Sequence, residues 1–456
     1  MSCGLRRTWQ VFRELLDMSP EVSAGADDRR FGPAAALYRG SAVFLAIHVV
    51  GSGVSFGAHL FAARSLGATT YGHFVYATTW MAILLLGCTI GLKPTVVRFA
   101  AAYRARGDWG LLRGLLGSAT AWTIGASSTV VAASLIALRV LPPHADELGL
   151  TLLLVVFAMP FMALGDVWSS AIRGLGAVAT SQLPASIVQH SLFAILLMVV
   201  FHASGSGPTA VSAAGSLLTA TIGTLGAAGW LLRREVPEEA RASGPRYRRR
   251  EWVDVAGGNA LISFFQAART PLVVVISGAY VDSQHIAFYV AAQKLANVTS
   301  LSLFGISGFA SPMISRHFTL GDVPRLQRLA HLAARGALAG ALLIALVVIG
   351  FSRTLLGFFG EGFEAARAPL IVLLFGEIVA AASGPVGFFL SMTGHQMIAT
   401  KIEAGVSVVA VGLALFLVPR YGIAGSALAV TASSCLRNIG MVLAVRRQLG
   451  LRSAIL

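Results

Sequence analysis

Residues 252–280 read WVDVAGGNALISFFQAARTPLVVVISGAY. About 20 apolar residues suffice to cross a bilayer, and this run is long enough, yet it carries Arg269 in its interior. An arginine at bilayer depth costs roughly a few kcal/mol on insertion scales, so it is turned toward protein, water or a partner. Arg269 lies eleven residues before Tyr280, about 16 Å at about 1.5 Å per residue, which is too far for simple snorkelling to the surface. The stretch therefore predicts a spanning helix that borders a polar interior. Asn259, Ser263, Gln266 and Thr270 follow the spacing i, i+4, i+7, i+11 that lines up on one helical face, with Arg269 beside the last. A polar stripe at membrane depth faces a cavity or a neighbouring helix.

The composition places the whole chain in the same class. Over 456 residues, 56% are hydrophobic and 12% charged, with a mean hydropathy of +0.75; that is the profile of a polytopic membrane protein, not of a soluble core. The net charge of +15 sits in short segments between hydrophobic runs, so it orients helices and gives no ground for a nucleic-acid partner. Cys3, Cys88 and Cys435 show no metal-ligand spacing and are read as packing residues, with neither disulfide nor zinc site expected.

In chain order, a basic tail at 1–36 lacks the continuous apolar region of a cleavable signal peptide. Six hydrophobic runs follow at about 37–63, 74–97, 115–141, 150–172, 184–202 and 209–232, then a charged connector at 233–254. Six more follow at about 255–280, 285–314, 329–351, 369–392, 402–418 and 423–445, and a short tail at 446–456. The expected fold is an all-α membrane protein of about twelve transmembrane helices. Its first lobe covers 37–232 and its second 255–445. Counting Lys and Arg on alternate sides gives twenty-six against five, which predicts that both tails and the connector are cytoplasmic. The five are Arg64, Arg139, Arg353, Arg367 and Arg420.

The two sets of six look like a parallel repeat. An offset of 218 pairs Pro94 with Pro312, Arg98 with Arg316 and Gly176 with Gly394, and each of the first two pairs precedes a Gly-Asp turn in a basic loop. The first run of the first half also carries His48, Ser52, Ser55 and His59 at the spacing of the stripe in the seventh. Two lobes facing each other across polar stripes predict an alternating-access transporter around a central cavity.

ARSLGATTYGHFVYA at 63–77, LLGFFGEGFEAARAPLIVLL at 355–374 and VPRYGIAGSALAVTASS at 418–434 resemble recurring segments of bacterial polysaccharide transporters. These are the O-antigen and exopolysaccharide flippases of the superfamily that also holds the multidrug and toxin extrusion transporters and the lipid II flippase. The resemblance covers the chain from Leu37 to Val445. It implies two six-helix lobes enclosing a cavity and the transfer of undecaprenyl-diphosphate-linked oligosaccharide units across a bacterial inner membrane. It also implies work beside a polysaccharide polymerase and a chain-length regulator. Where such proteins often carry an acid in the seventh helix, this chain has Arg269 and Thr270.

A lipid-linked sugar brings a diphosphate and many hydroxyls into a low-dielectric interior, which calls for Arg or Lys and for amide, hydroxyl or imidazole groups. Arg269 is the first candidate anion contact and Lys294 the second, with Gln266, Asn259 and Asn297 beside them. His48, His59, Asp166 and Gln189 are further cavity candidates, and Glu377 and His48 are candidates for ion coupling. The structural alternatives are an ion pair of Arg269 with Asp166 or Glu377, snorkelling of Lys294, and packing of the first helix through Gly53 and Gly57. No metal cluster, phosphate-cradling loop or catalytic constellation is present in the sequence, so neither an enzyme nor a cofactor is expected. A cation-coupled antiporter of the same fold is the alternative function, and the absence of a carboxylate in the first run weighs against it.

Overall fold

The computed structural model describes residues 33–89, 91–140, 147–203 and 207–451, apart from the side chains at 33–44, 138–140, 261, 262, 309 and 312. Cys3, the arginines of the amino-terminal tail, Arg452 and the side chains of Arg39, Arg139 and Pro312 lie outside the described residues. Among the described residues the chain is helical, with no strand. The first half comprises α1 (Pro33–Leu66), α2 (Ala68–Thr89), α3 (Leu92–Arg106), α4 (Trp109–Val140), α5 (Glu147–Gly174), α6 (Gln189–Ala203) and α7 (Ala210–Glu235). A short α8 (Glu238–Ala242) lies in the connector. The second half comprises α9 (Arg249–Gly278), α10 (Ser283–Thr319), α11 (Val323–Gly350), α12 (Ser352–Gly357), α13 (Arg367–Ser383), α14 (Val386–Met392) and α15 (Gln396–Leu449). Among the described residues ten helical stretches are long and apolar enough to cross a membrane, or eleven when the two parts of α10, bent by 40°, count as one span.

The segment Gln396–Leu449 is two helices joined at a non-helical residue. At about 1.5 Å per residue a straight helix the length of α15 would be about 80 Å long, far beyond a hydrocarbon core of about 30 Å. Gly422, at φ 55° and ψ −133°, breaks it, and Gly440 lies against Ile402 while Arg437 reaches Glu403. Residues on either side of Gly422 therefore face each other as antiparallel arms, which correspond to the expected runs at 402–418 and 423–445. The second expected run is likewise divided, into α2 and α3, with Gly91 at φ 68°. A Cβ on Gly91 would come within 2.2 Å of the Ala256 carbonyl oxygen, so α9 crosses there backbone to backbone. The fifth run begins with a π-helical turn at Pro184–Val188 before α6.

The Gly-Asp turns repeat in detail. Gly107 and Gly321 sit at φ 70° and 67°, a left-handed conformation that glycine adopts without penalty. In one turn Asp108 N–H donates to Tyr103 O and Trp109 N–H to Gly107 O; in the other Asp322 N–H donates to His317 O and Val323 N–H to Gly321 O. Gly176 and Gly394 are also alike, at φ 88° and 84°. Asp322 then caps α11, its carboxylate accepting from Arg325 N–H at 3.1 Å.

Helices before the connector pack chiefly on one another, α5 on α7, α4 and α3, and α1 on α6. Those after it do the same, α9 and α13 on α15 and α10 on α11 and α13. Contact between the halves runs through α2 on α10 and α9, α3 on α9, and α1 on α10.

Candidate functional site

The polar groups of α10 sit where this inter-half packing leaves space. Gln293, Lys294 and Asn297 occupy positions i, i+1 and i+4, so they share one side of the helix. They line a cavity of about 310 Å³ together with His59 of α1, Phe74 and Thr78 of α2, Gln189 and His190 of α6, and Thr270 of α9. The Nδ1 atom of His59 and the Tyr71 hydroxyl are 3.2 Å apart, and the His59 and His190 ring centroids are 6.4 Å apart. Phe193 stacks on Phe74 at 5.4 Å along the same wall. Among the described residues no Asp or Glu lines this cavity.

A second cavity of about 300 Å³ adjoins the first and shares Thr270, Gln293 and Asn297 with it. Its remaining polar lining is Arg269, Glu377, Thr431 and Ser434. Arg269 Nη1 donates to Ser433 Oγ at 3.1 Å and, at 3.5 Å, to the Val430 carbonyl. The cations that the sequence singled out thus border adjoining cavities, separated by amide and hydroxyl side chains. Each volume is at the lower end of those that hold small ligands, roughly 300–1,000 Å³.

The other sequence candidates are distributed elsewhere. Asp166 is 2.9 Å from Lys93 Nζ, which removes it as a partner of Arg269. Asn259 donates to Thr95 Oγ1 of α3 at 3.2 Å, and Gln266 is exposed. The stripe of α9 does share one face. Its members lie up to about 16 Å apart along the axis, so they meet different neighbours. The same holds for α1, where His59 lines the first cavity while His48 stacks on Phe304 with ring centroids 4.0 Å apart.

Sequence reasoning named Gln293 beside Lys294 but missed His190 and the pair of Arg437 and Glu403. His190 follows Gln189 directly, and its place beside His59 depends on α6 packing against α1. Gln293 borders both cavities. Arg437 and Glu403, 2.5 Å apart at their Nε and Oε1 atoms, form an ion pair between the arms of α15. Both were visible as isolated charges in apolar runs, the signal that drew attention to Arg269.

The profile of the family described as polysaccharide biosynthesis protein matches residues 37–318. No curated protein sequence matches the chain. Among solved structures, the chain resembles a multidrug resistance MATE family transporter of the MOP superfamily in an inward-facing conformation. That comparison has a TM-score of 0.69 at 14% identity and covers 90% of this chain and 98% of the other. The lipid II flippase MurJ in an inward closed conformation gives a TM-score of 0.69 at 11% identity, covering 89% and 87%. A MOP superfamily transporter from Pyrococcus furiosus gives 0.64 at 15%, covering 92% and 97%; its description reports a binding pocket of reversed polarity. At these identities the likeness establishes the fold, that of multi-pass membrane transporters.

Proposed function

We propose that this chain, which belongs to the polysaccharide biosynthesis protein family, is a flippase for undecaprenyl-diphosphate-linked oligosaccharide units in a bacterial inner membrane. The observation that carries the reading is the pair of adjoining cavities. They present Lys294 to a space lined by helices of both halves and Arg269 to an adjoining space lined by the second half, with amides and hydroxyls between them. A head group of phosphates and hydroxyls needs that combination, because charges and hydroxyls taken out of water must be met by partners of opposite character. The prenyl tail stays in lipid while the head group crosses, in an alternating-access cycle between two six-helix lobes at 37–232 and 255–445. Both tails and the connector at 233–254 face the cytoplasm in this reading, where a polymerase and a chain-length regulator are the expected neighbours in polysaccharide assembly.

The test is the lipid-linked oligosaccharide content of membranes from cells lacking the protein, with leaflet sidedness probed by an impermeant glycosidase. Accumulation on the cytoplasmic face, reversed by restoring the gene, is the expected result. An unchanged lipid pool with raised sensitivity to cationic drugs would instead establish the alternative, a cation-coupled antiporter. One observation favours that alternative: Glu377 supplies an acid to the Arg269 cavity.

A further inference from the structure

The two adjoining cavities differ in charge balance. Around Arg269 stand the carboxylates of Glu377 and Glu403 and the guanidinium of Arg437, two negative charges against two positive ones, and Arg269 already donates to Ser433. Lys294 has no such company. Among the described residues no acid lines its cavity, and its ammonium makes no hydrogen bond and no ion pair. A cation taken from water without a counter-charge is destabilising until an anion arrives, so the Lys294 cavity is the one whose electrostatics an anionic ligand completes. In the Arg269 cavity the same anion would face Glu377.

We infer, building on the flippase reading, that the Lys294 cavity takes the diphosphate of the ligand and the Arg269 cavity takes the uncharged sugar attached to it. The donor set fits a diphosphate. His59 keeps its Nε2 for the ligand because Nδ1 is engaged with Tyr71, and His190 stands beside it. Thr78 and Gln189 add polar groups to the same lining. The order of neighbours also fits. Pro271, Val274 and Leu217 supply an apolar wall on which the first isoprene unit can rest. The shared Thr270, Gln293 and Asn297 lead from the phosphate site into the second cavity, so prenyl, diphosphate and sugar follow the sequence in which they are bonded. In the second cavity Arg269, Glu377, Thr431 and Ser434 offer donors and acceptors together, which suits hydroxyls better than a further anion.

The assignment is tested by calorimetric titration of the full-length protein in detergent with farnesyl diphosphate, farnesyl monophosphate and farnesol. Affinity falls in that order, and Lys294→Gln weakens farnesyl diphosphate binding by about tenfold or more, the scale of one charge-assisted contact. Arg269→Gln weakens it less than Lys294→Gln does, and Lys294→Arg, which keeps the charge, restores most of the loss. Gel-filtration and melting profiles of the unliganded variants separate lost binding from lost folding, and the rescue by Arg keeps the test decisive if Lys294→Gln is unstable. A larger loss in Arg269→Gln than in Lys294→Gln overturns the assignment and moves the diphosphate to Arg269. Wild-type affinity in both variants also overturns it, since binding would then take place at exposed cations. The lipid-pool experiment does not depend on which cation holds the phosphate, so a failure there is a failure of the flippase reading alone.

Discussion

Glu403→Gln probes the ion pair that ties the two arms of α15 together. Arg437 Nε and Glu403 Oε1 are 2.5 Å apart, and the side chains are 29% and 7% exposed. Removing one partner of a buried pair costs about 3–5 kcal/mol, because the other charge is left without compensation. Two features lower the figure here. Glutamine retains an oxygen that accepts one hydrogen bond from Nε, and Arg437 keeps partial access to its surroundings and a longer contact, 3.4 Å, to Asn438 Oδ1. The expected destabilisation is therefore about 2–3 kcal/mol. Equilibrium unfolding by sodium dodecyl sulfate from mixed micelles measures it, and a cycle with Arg437→Gln isolates the pair. The coupling expected from that cycle is at least about 1 kcal/mol, with the double variant more stable than the sum of the singles implies. Glu403→Leu with Arg437→Met, which removes both charges and keeps bulk, is expected near wild type. A Glu403→Gln protein within about 0.5 kcal/mol of wild type, the range of an ordinary surface change, would refute the reasoning.

At the end away from the Gly-Asp turns, a Cβ on Gly72 would lie 1.9 Å from the Ser283 carbonyl oxygen, so Gly72→Leu is expected to part α2 from α10. In a chain with its three cysteines replaced, a cysteine substituted for the buried Phe363 should then react with an impermeant thiol reagent only when Gly72→Leu is present. Equal labelling in both backgrounds would count against a closed contact there. Trp252 is fully buried and its Nε1 donates to the Tyr103 hydroxyl at 2.9 Å; Trp252→Phe should cost at least about 1 kcal/mol in the same unfolding assay, and Tyr103→Phe should add little to it. Gly107→Ala and Gly321→Ala place a Cβ in matching left-handed turns and should each cost about 1–2 kcal/mol. Very different costs would mean that the turns are alike in backbone only.

The membrane class and the helical fold were legible because they follow from one-dimensional quantities, apolar run length and the spacing of breaks. Two glycines set where helices break. Gly91 divides the second run at a backbone crossing, and Gly422, at φ 55° and ψ −133°, separates the two arms that match the runs at 402–418 and 423–445. Neither carries a sequence signal that separates it from Gly53 or Gly87, beside which a Cβ would meet open space. The site was legible only in part. Arg269, Lys294 and Asn297 stood out because isolated polar groups in apolar runs need partners. Which partners they have is a property of packing between helices. Lys93, 73 positions before Asp166, takes the acid that the sequence offered to Arg269. Glu403 and Arg437 meet because the chain folds back at Gly422.

The helix from which the sequence was read also explains why the cavities lie where they do. The first part of α9 is fastened to the first half of the chain by Trp252 on Tyr103 and Asn259 on Thr95. Its later part is fastened to α15, where Ser407 donates to the Phe265 carbonyl at 3.0 Å and Ser277 and Ser426 hydroxyls are 2.7 Å apart. Within the first set, between Trp252 and Asn259, stand Gly257 and Gly258, beside which a Cβ would meet nothing, and within the second, between Phe265 and Ser277, Arg269 and Thr270 face the cavities. A helix held by both halves cannot follow one without bending against the other, and the bend falls between Asn259 and Phe265, where the fastenings change from one half to the other. A ligand that engages Thr270 from both cavities thus touches the element whose shape registers the relative position of the halves. Occupancy and conformation are thereby linked through contacts already present in the fold, and that linkage is what an alternating-access cycle requires.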